Sequence, residues 1–321
     1  MLQKILERIS QKSGVHDLAG VLASGISGAD LNSLLLEVFR LKTDKMQPAD
    51  VLEAYRTNRF VQPAEVDTID FQEFTLNALK LSRAAGFQPI QLSPVSPLGA
   101  CSVVATAHQH KIISATRGTE VTADATNVLA LESAVRRMKT NFPQSPLHFS
   151  TTHRHVRAQE IPDVPGFSAH FTILGLTSAG RDTGSFSFEK ESLLRHVRFY
   201  RTYFKETLQI EPLKIRLKAL DRPGEINRVF EAVSTYLQEM EPELPVEIIP
   251  STAAEQGYYQ HLQFKIVIAG PDGREIEIAD GGFTDWTQQL SGFRKERFLI
   301  SGLGLEMLFK GLMRVDKVDE G

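Results

Sequence analysis

The sequence predicts an antiparallel-rich α+β core behind a small all-α unit, and three observations carry that reading. The first 62 or so residues repeat apolar side chains at helical spacing with no strand-like run among them. Beyond them, short β-type runs interleave irregularly with amphipathic helices, a pattern of strands paired mostly as neighbours. Finally, Pro271-Asp272-Gly273 separates two alternating apolar runs, YYQHLQFKIVIAG and REIEIADGG, and Asp-Gly in that setting is a strong hairpin signal. Two units are expected, 1–65 and 66–321.

The elements follow in order. Leu2, Ile5, Leu6 and Ile9, then Leu31 to Leu41, then Val51, Leu52 and Tyr55 read as three short helices. Asp30 and the Pro48-Ala49-Asp50 run supply the carboxylate and proline that suit helix starts. FVQPAEVDT links to a helix over 70–85 that Gly86 closes, followed by a strand, FQPIQL. SVVATA and KIISATR read as a hairpin turning at His108-Gln109-His110. Next come a helix, NVLALESAVRRM, two strands, LHFSTTHRHVRA and FSAHFTILGLT, and a long amphipathic helix, KESLLRHVRFYRTYFKETL. The remainder reads as strand PLKIRLKAL, helix EINRVFEAVSTYLQEM, strand VEIIP, the Asp-Gly hairpin, strand ERFLIS and a last helix, GLEMLFKGLMR.

Composition narrows the function. The chain has 321 residues, 42% hydrophobic and 23% charged, and 36 basic against 39 acidic residues give a net charge of −3. That is an ordinary globular balance, without the sustained basic field of a protein that holds nucleic acid by its phosphates. A single cysteine, Cys101, excludes a disulfide framework. The N-terminus lacks an apolar leader and no window approaches a membrane span, so a cytoplasmic protein without membrane contact is expected.

Several clusters carry chemistry. His153 and His155 share a strand face, where a metal is conceivable, though no acidic or thiol partner is near in sequence. Cys101, beside Val103 and Val104, reads as a buried, inert thiol. No Walker, Gly-x-Ser-x-Gly or dinucleotide fingerprint is present. The densest polar block is ATRGTEVTADATNVLALE, where Arg117, Glu120, Asp124 and Thr126 precede a helix. Carboxylates and hydroxyls at such a junction suit a cationic ligand, and Asp124 or Thr126 serves equally as an N-cap. Asp280-Gly281-Gly282 ends a strand with two glycines, and Gly302-Leu303-Gly304 joins a strand to a helix; both allow close approach of a ligand, or simply tight packing.

Taken in order, these blocks resemble the catalytic domain of class II aminoacyl-tRNA synthetases, nearest the histidyl branch, over about residues 68 to 313. The helix over 70–85 with GFQPIQLSP and Pro94 resembles motif 1, which implies a homodimer. VTADATNVLALESAVRR is similar to the branch's Pro-Glu-Gly-Thr segment, with Thr126 at the threonine. HRHVRAQEIPDVPGFSAHFTILG resembles motif 2, with Arg157 and Glu160 at the positions that grip the α-phosphate and read adenine. EQGYYQHLQF is similar to the histidine-specific segment, with Tyr258 and Tyr259, while DGGFTDW and ISGLGLEMLF resemble the Gly-Gly-Arg-Tyr-Asp run and motif 3. An antiparallel sheet flanked by helices is implied.

The departures shape the expected function. Two residues rather than one separate Arg157 from Glu160, Met307 stands at the motif 3 arginine, Ala254 at the reacting arginine, and Ile173 and Thr177 at polar positions of the second motif 2 strand. Only about eight residues follow the last helix, so no anticodon-binding domain is expected and tRNA binding is not. The implied function is therefore a ligand-binding or regulatory relative, comparable with the regulatory subunit of ATP phosphoribosyltransferase, without tRNA aminoacylation. The alternative is an adenylate-forming ligase, with ATP as cosubstrate, Mg entering only with ATP, and Arg117, Arg157 or Arg181 supplying the missing clamp. A third reading gives the N-terminal helices a protein partner. The expected ligand-contacting set is Arg117, Glu120, Asp124, Thr126, Arg157, Glu160, Tyr258, Tyr259, Asp280, Gly281, Gly282, Gly302 and Gly304, with no metal.

Overall fold

The computed structural model describes residues 2–159, 168–211, 213–220, 227–249, 257–270 and 273–311. The N-terminal unit holds four helices rather than three: α1 (Leu2–Ser13), α2 (Leu18–Ser24), α3 (Gly28–Thr43) and α4 (Pro48–Thr57). The extra helix, LAGVLAS, is too short to show a periodic stripe. Its start is set by Asp17, whose carboxylate accepts from Gly20 N. None of the four contains a buried residue. Helix α5 (Thr68–Ala84) begins the core, capped by Asp67 and burying Phe71, Thr75, Ala78 and Ser82.

The strands are β1 (Gln88–Pro89), β2 (Val95–Pro97), β3 (Ser114–Ala115), β4 (Thr119–Val121), β5 (Leu147–Val156), β6 (His170–Arg181), β7 (Leu213–Leu220), β8 (Val246–Ile249), β9 (Gln260–Ala269), β10 (Glu275–Thr284) and β11 (Glu296–Leu303). Between them lie α6 (Ala125–Lys139), α7 (Ser187–Arg201), α8 (Arg228–Met240) and α9 (Trp286–Ser291), and α10 starts at residue 305. Eight strands form one sheet in the order β1-β5-β6-β11-β10-β9-β7-β8, and β2-β4-β3 form a small second sheet. Only the outer pairs of the large sheet, β1 with β5 and β7 with β8, run parallel. Its antiparallel interior and flanking helices are those of the predicted fold class.

The period of two divides the sheet's faces. Leu174, Leu176, Leu299 and Leu303 pack with Val197 and Phe199 under α7 in the main core. The opposite face carries α6, α9 and the cavity described below. A buried ion pair ties α6 to β11: Arg137, wholly buried, donates through Nη2 to Glu296 Oε1 at 2.9 Å.

Two sequence readings fail locally. SVVATA is no strand: Ala100–Val104 forms a π-helical turn, Gln109–Lys111 a 3-10 turn, and the hairpin is β3 with β4. The cause is Glu120, whose buried carboxylate accepts from Gly99 N and Cys101 N at 2.9 Å each and coils the segment inward. FQPIQL contributes only Gln88–Pro89, because Pro89 and Pro94 limit the ladder to one further bond, Ile90 N to Ser150 O. The Pro271-Asp272 turn lies partly outside the described residues, yet Gly270 N bonds Arg274 O at 2.7 Å and β9 pairs with β10 as expected.

Candidate functional site

The site is assembled from three chain segments over the α6 face of the sheet. Asp124 is the N-cap of α6: its Oδ1 accepts from Thr126 N at 2.9 Å and from the Thr126 hydroxyl at 2.8 Å. Its second oxygen accepts from the Tyr258 hydroxyl at 3.1 Å. Capping and cavity lining are thus one role, since fixing one oxygen at the helix start aims the other outward. Opposite, Asp280 on β10 accepts from the Tyr259 hydroxyl at 2.6 Å and from Gln263 Nε2 at 2.7 Å. Burial raises the Asp280 pKa, and the Tyr259 and Gln263 hydrogen bonds offset part of that. Burial first, and the facing carboxylates second, raise the pKa of both phenols, so each stays a neutral donor.

These two Asp/Tyr pairs flank a cavity of about 410 Å³. Its other walls include Ile173, Ile300, Gly302 and the π-helical turn, with Lys111 and Arg157 as its cations. Arg157 donates through Nε to Ala123 O at 3.0 Å and lies 5.2 Å over the Phe171 ring. The Tyr258 ring meets Tyr259 edge-on at 4.7 Å and Trp286 at 5.4 Å. Cys101 also lines it; burial pushes the thiol up to about 11, and Asn127 Nδ2 donates to its sulfur at 3.0 Å. It is therefore a thiol, not a nucleophilic thiolate, at neutral pH.

The glycines divide by role. A Cβ on Gly282 would sit 2.6 Å from the Tyr259 ring, and one on Gly281 would sit 2.5 Å from Ile300 O, so these two positions seat the tyrosine and the neighbouring strand. Gly302 and Gly304 are roomier, with nearest contacts of 3.5 Å to Ile173 and 3.6 Å to Met307. Both line the cavity, where any side chain on Gly302 would take ligand space.

Asp124, Thr126, Arg157, Tyr258, Tyr259, Asp280, Gly302 and Gly304 are brought together around this space. Glu120 is not a cavity residue: fully buried, it holds the Gly99–Cys101 backbone and Gln109. Arg117 sits exposed at φ 65° in the β3–β4 turn, off the cavity wall. Glu160 and Ala254 lie outside the described residues. Thr177 is buried away from the cavity, and Arg181 lies over the Phe293 ring. His153 and His155 stand 5.6 Å apart, ring to ring, and among the described residues no three metal-ligating side chains converge. His155 instead accepts from Ala125 N at 2.9 Å, bracing the start of α6. Gln263 and Lys111 escaped the sequence reading, whereas Trp286 falls in the DGGFTDW block that it singled out. Of the first two, Gln263 was within reach, because strand alternation places it on the face of Asp280.

No protein-family profile matches the chain, and no curated protein matches it in sequence. Solved structures do match in fold. The histidyl-tRNA synthetase of S. aureus superposes with a TM-score of 0.59 at 16% identity, covering 78% of this chain and 68% of that one. A putative threonyl-tRNA synthetase from Aeropyrum pernix gives 0.64 at 12%, covering 81% and 63%. An ATP phosphoribosyltransferase regulatory subunit/histidyl-tRNA synthetase from Bacillus halodurans gives 0.57 at 11%, covering 79% and 82%. The chain thus has the fold of class II synthetase catalytic domains, and spans about two thirds of the length of the two synthetases.

Proposed function

We propose that the cavity binds an amino acid or a similar small amine, and that the chain is a ligand-binding, regulatory-type protein that does not aminoacylate tRNA. The observation that carries this is the pair of carboxylates lining one cavity, Asp124 and Asp280, each oriented by its own tyrosine. Carboxylate oxygens have spare lone pairs, so an ammonium group placed between them gains charge-assisted hydrogen bonds without displacing either tyrosine. Adenylate chemistry is positioning and charge stabilisation, and by the resemblance its phosphate clamp is missing where Met307 stands and a polar group where Ile173 stands. The competing reading, an adenylating ligase, would rest on Arg157 and Lys111 as phosphate contacts, with Mg entering only with ATP. We also propose a homodimer through the α5–β1 region, where Ile69 is 69% and Leu76 49% exposed, and a protein partner on α1–α4; deleting residues 1–62 should abolish that partner's capture.

Thermal unfolding with each amino acid, ATP and AMP tests the reading. A ligand at a hundred times its Kd adds about 2.7 kcal/mol, which for a chain of 321 residues raises Tm by roughly 4 °C. An amino acid should produce that shift and the nucleotides none, and Asp280→Asn should weaken binding by about 1.5–3 kcal/mol. A shift with ATP alone would favour the ligase.

A further inference from the structure

At the opposite end of the same strands lies a second, larger cavity of about 650 Å³, between the start of α7, α9 and the start of β11. Its walls pair aromatic surface, Phe186 and Phe283, with the carboxylates of Glu189 and Asp285 and the amides of Gln288 and Gln289, and His261, Arg294 and Arg297 also line it. Glu189 is 4% exposed, and Arg297 Nε donates to its Oε1 at 3.0 Å. Its Oε2 is buried with no hydrogen-bond partner among the described residues, and so is the hydroxyl of Thr284, 5% exposed on the same wall. A buried carboxylate oxygen and hydroxyl left without partners cost free energy that a donor-bearing ligand would recover. Arg297 does not neutralise the wall alone, because its other arm is engaged by Asp182 at 2.8 Å. Burial raises the Glu189 pKa, and its own backbone N–H and Arg297 offset part of that.

We propose that this cavity is a separate binding site for an organic cation of amino-acid size, an amine or guanidinium whose N–H groups reach Glu189 Oε2 and Thr284 and whose carbon skeleton lies on the aromatic wall. Helix α9 links it to the first cavity: Asp285 and Gln288 face the second, while Trp286 packs against Tyr258 of the first.

Trp286 is the chain's single tryptophan, so its fluorescence reports on α9 directly. Full-length protein titrated with agmatine and with spermidine should give a saturable change, and butanediol, of similar length without charge, should give none. Glu189→Gln should weaken the amine by about tenfold, roughly 1.4 kcal/mol, and Thr284→Val by less, while both leave circular dichroism and Tm of the free protein near wild type. Asp280→Asn should leave amine affinity at the second site unchanged, which separates this proposal from the function proposed for the first cavity. Amine binding that is equal in wild type and Glu189→Gln, or that is lost in Asp280→Asn, would overturn it, as would no saturable binding by the folded wild type.

Discussion

Helices α1–α4 and the sheet domain obey the same local rules and differ in packing. Ser27 caps α3 through Asp30 N, and Asp50 bonds the Gln47 backbone at the start of α4, as competently as Asp67 and Asp124 cap core helices. Yet Phe39 is 53% and Leu52 58% exposed, whereas Phe199 and Leu129 are 1% and 0%. The ion pairs of α3, Glu37–Arg40–Asp44, are solvent-exposed and of the kind that contributes little. The difference teaches that capping and periodicity specify where a helix runs, while burial decides what resists unfolding.

Substitutions should expose that contrast. Arg137→Leu, which strands the buried Glu296 carboxylate, should cost the most, about 3–5 kcal/mol in denaturant unfolding. Leu129→Ala on the buried face of α6 should cost about 2–5 kcal/mol, and Gly281→Ala, forced against Ile300 O, about 1–3 kcal/mol. Phe39→Ser on α3 should change global stability by no more than about 0.5 kcal/mol. A cost of core size there would show that α3 is packed in solution.

Acidity sharpens the contrast differently. Burial depresses His148 to about 4 and His155 to about 3, each with a smaller contribution from a nearby arginine, and so both are neutral in the folded core. The unfolded chain takes up their protons near pH 6.5, so stability present above that pH is lost as pH falls toward 4. Each histidine contributes up to roughly 1.4 kcal/mol per pH unit to that loss. His148→Gln should flatten the dependence, measured as Tm against pH.

The sequence showed the long, periodic elements well. Strands β5, β6, β9, β10 and β11 announced themselves because their eight to twelve residues carry β-type or alternating patterns bounded by turn signals. Residues 100–111 misled because Cys101, Ala105 and Ala107 line a cavity and Val103 is exposed, rather than filling the face of a sheet, and the force that coils the segment is the distant Glu120 carboxylate. In the site, Asp124 and Asp280 were visible as polar groups at element ends, and Tyr258 and Tyr259 through their motif resemblance. Glu120 and Arg117 looked equivalent to them in sequence, since nothing local separates a carboxylate that holds backbone from one that faces a cavity. Lys111 was hidden because its place on the cavity wall comes from the coiling of a segment the sequence reads as a strand.

The central claim, a cavity that recognises an amine without activating it, is tested most directly by ATP–pyrophosphate exchange with each of the twenty amino acids, run beside calorimetric titration of the same amino acids. The account predicts saturable heat with at least one amino acid, lost in Asp280→Asn, and no exchange with any. Exchange that depends on an amino acid and disappears in Arg157→Ala would contradict it and establish an adenylating enzyme.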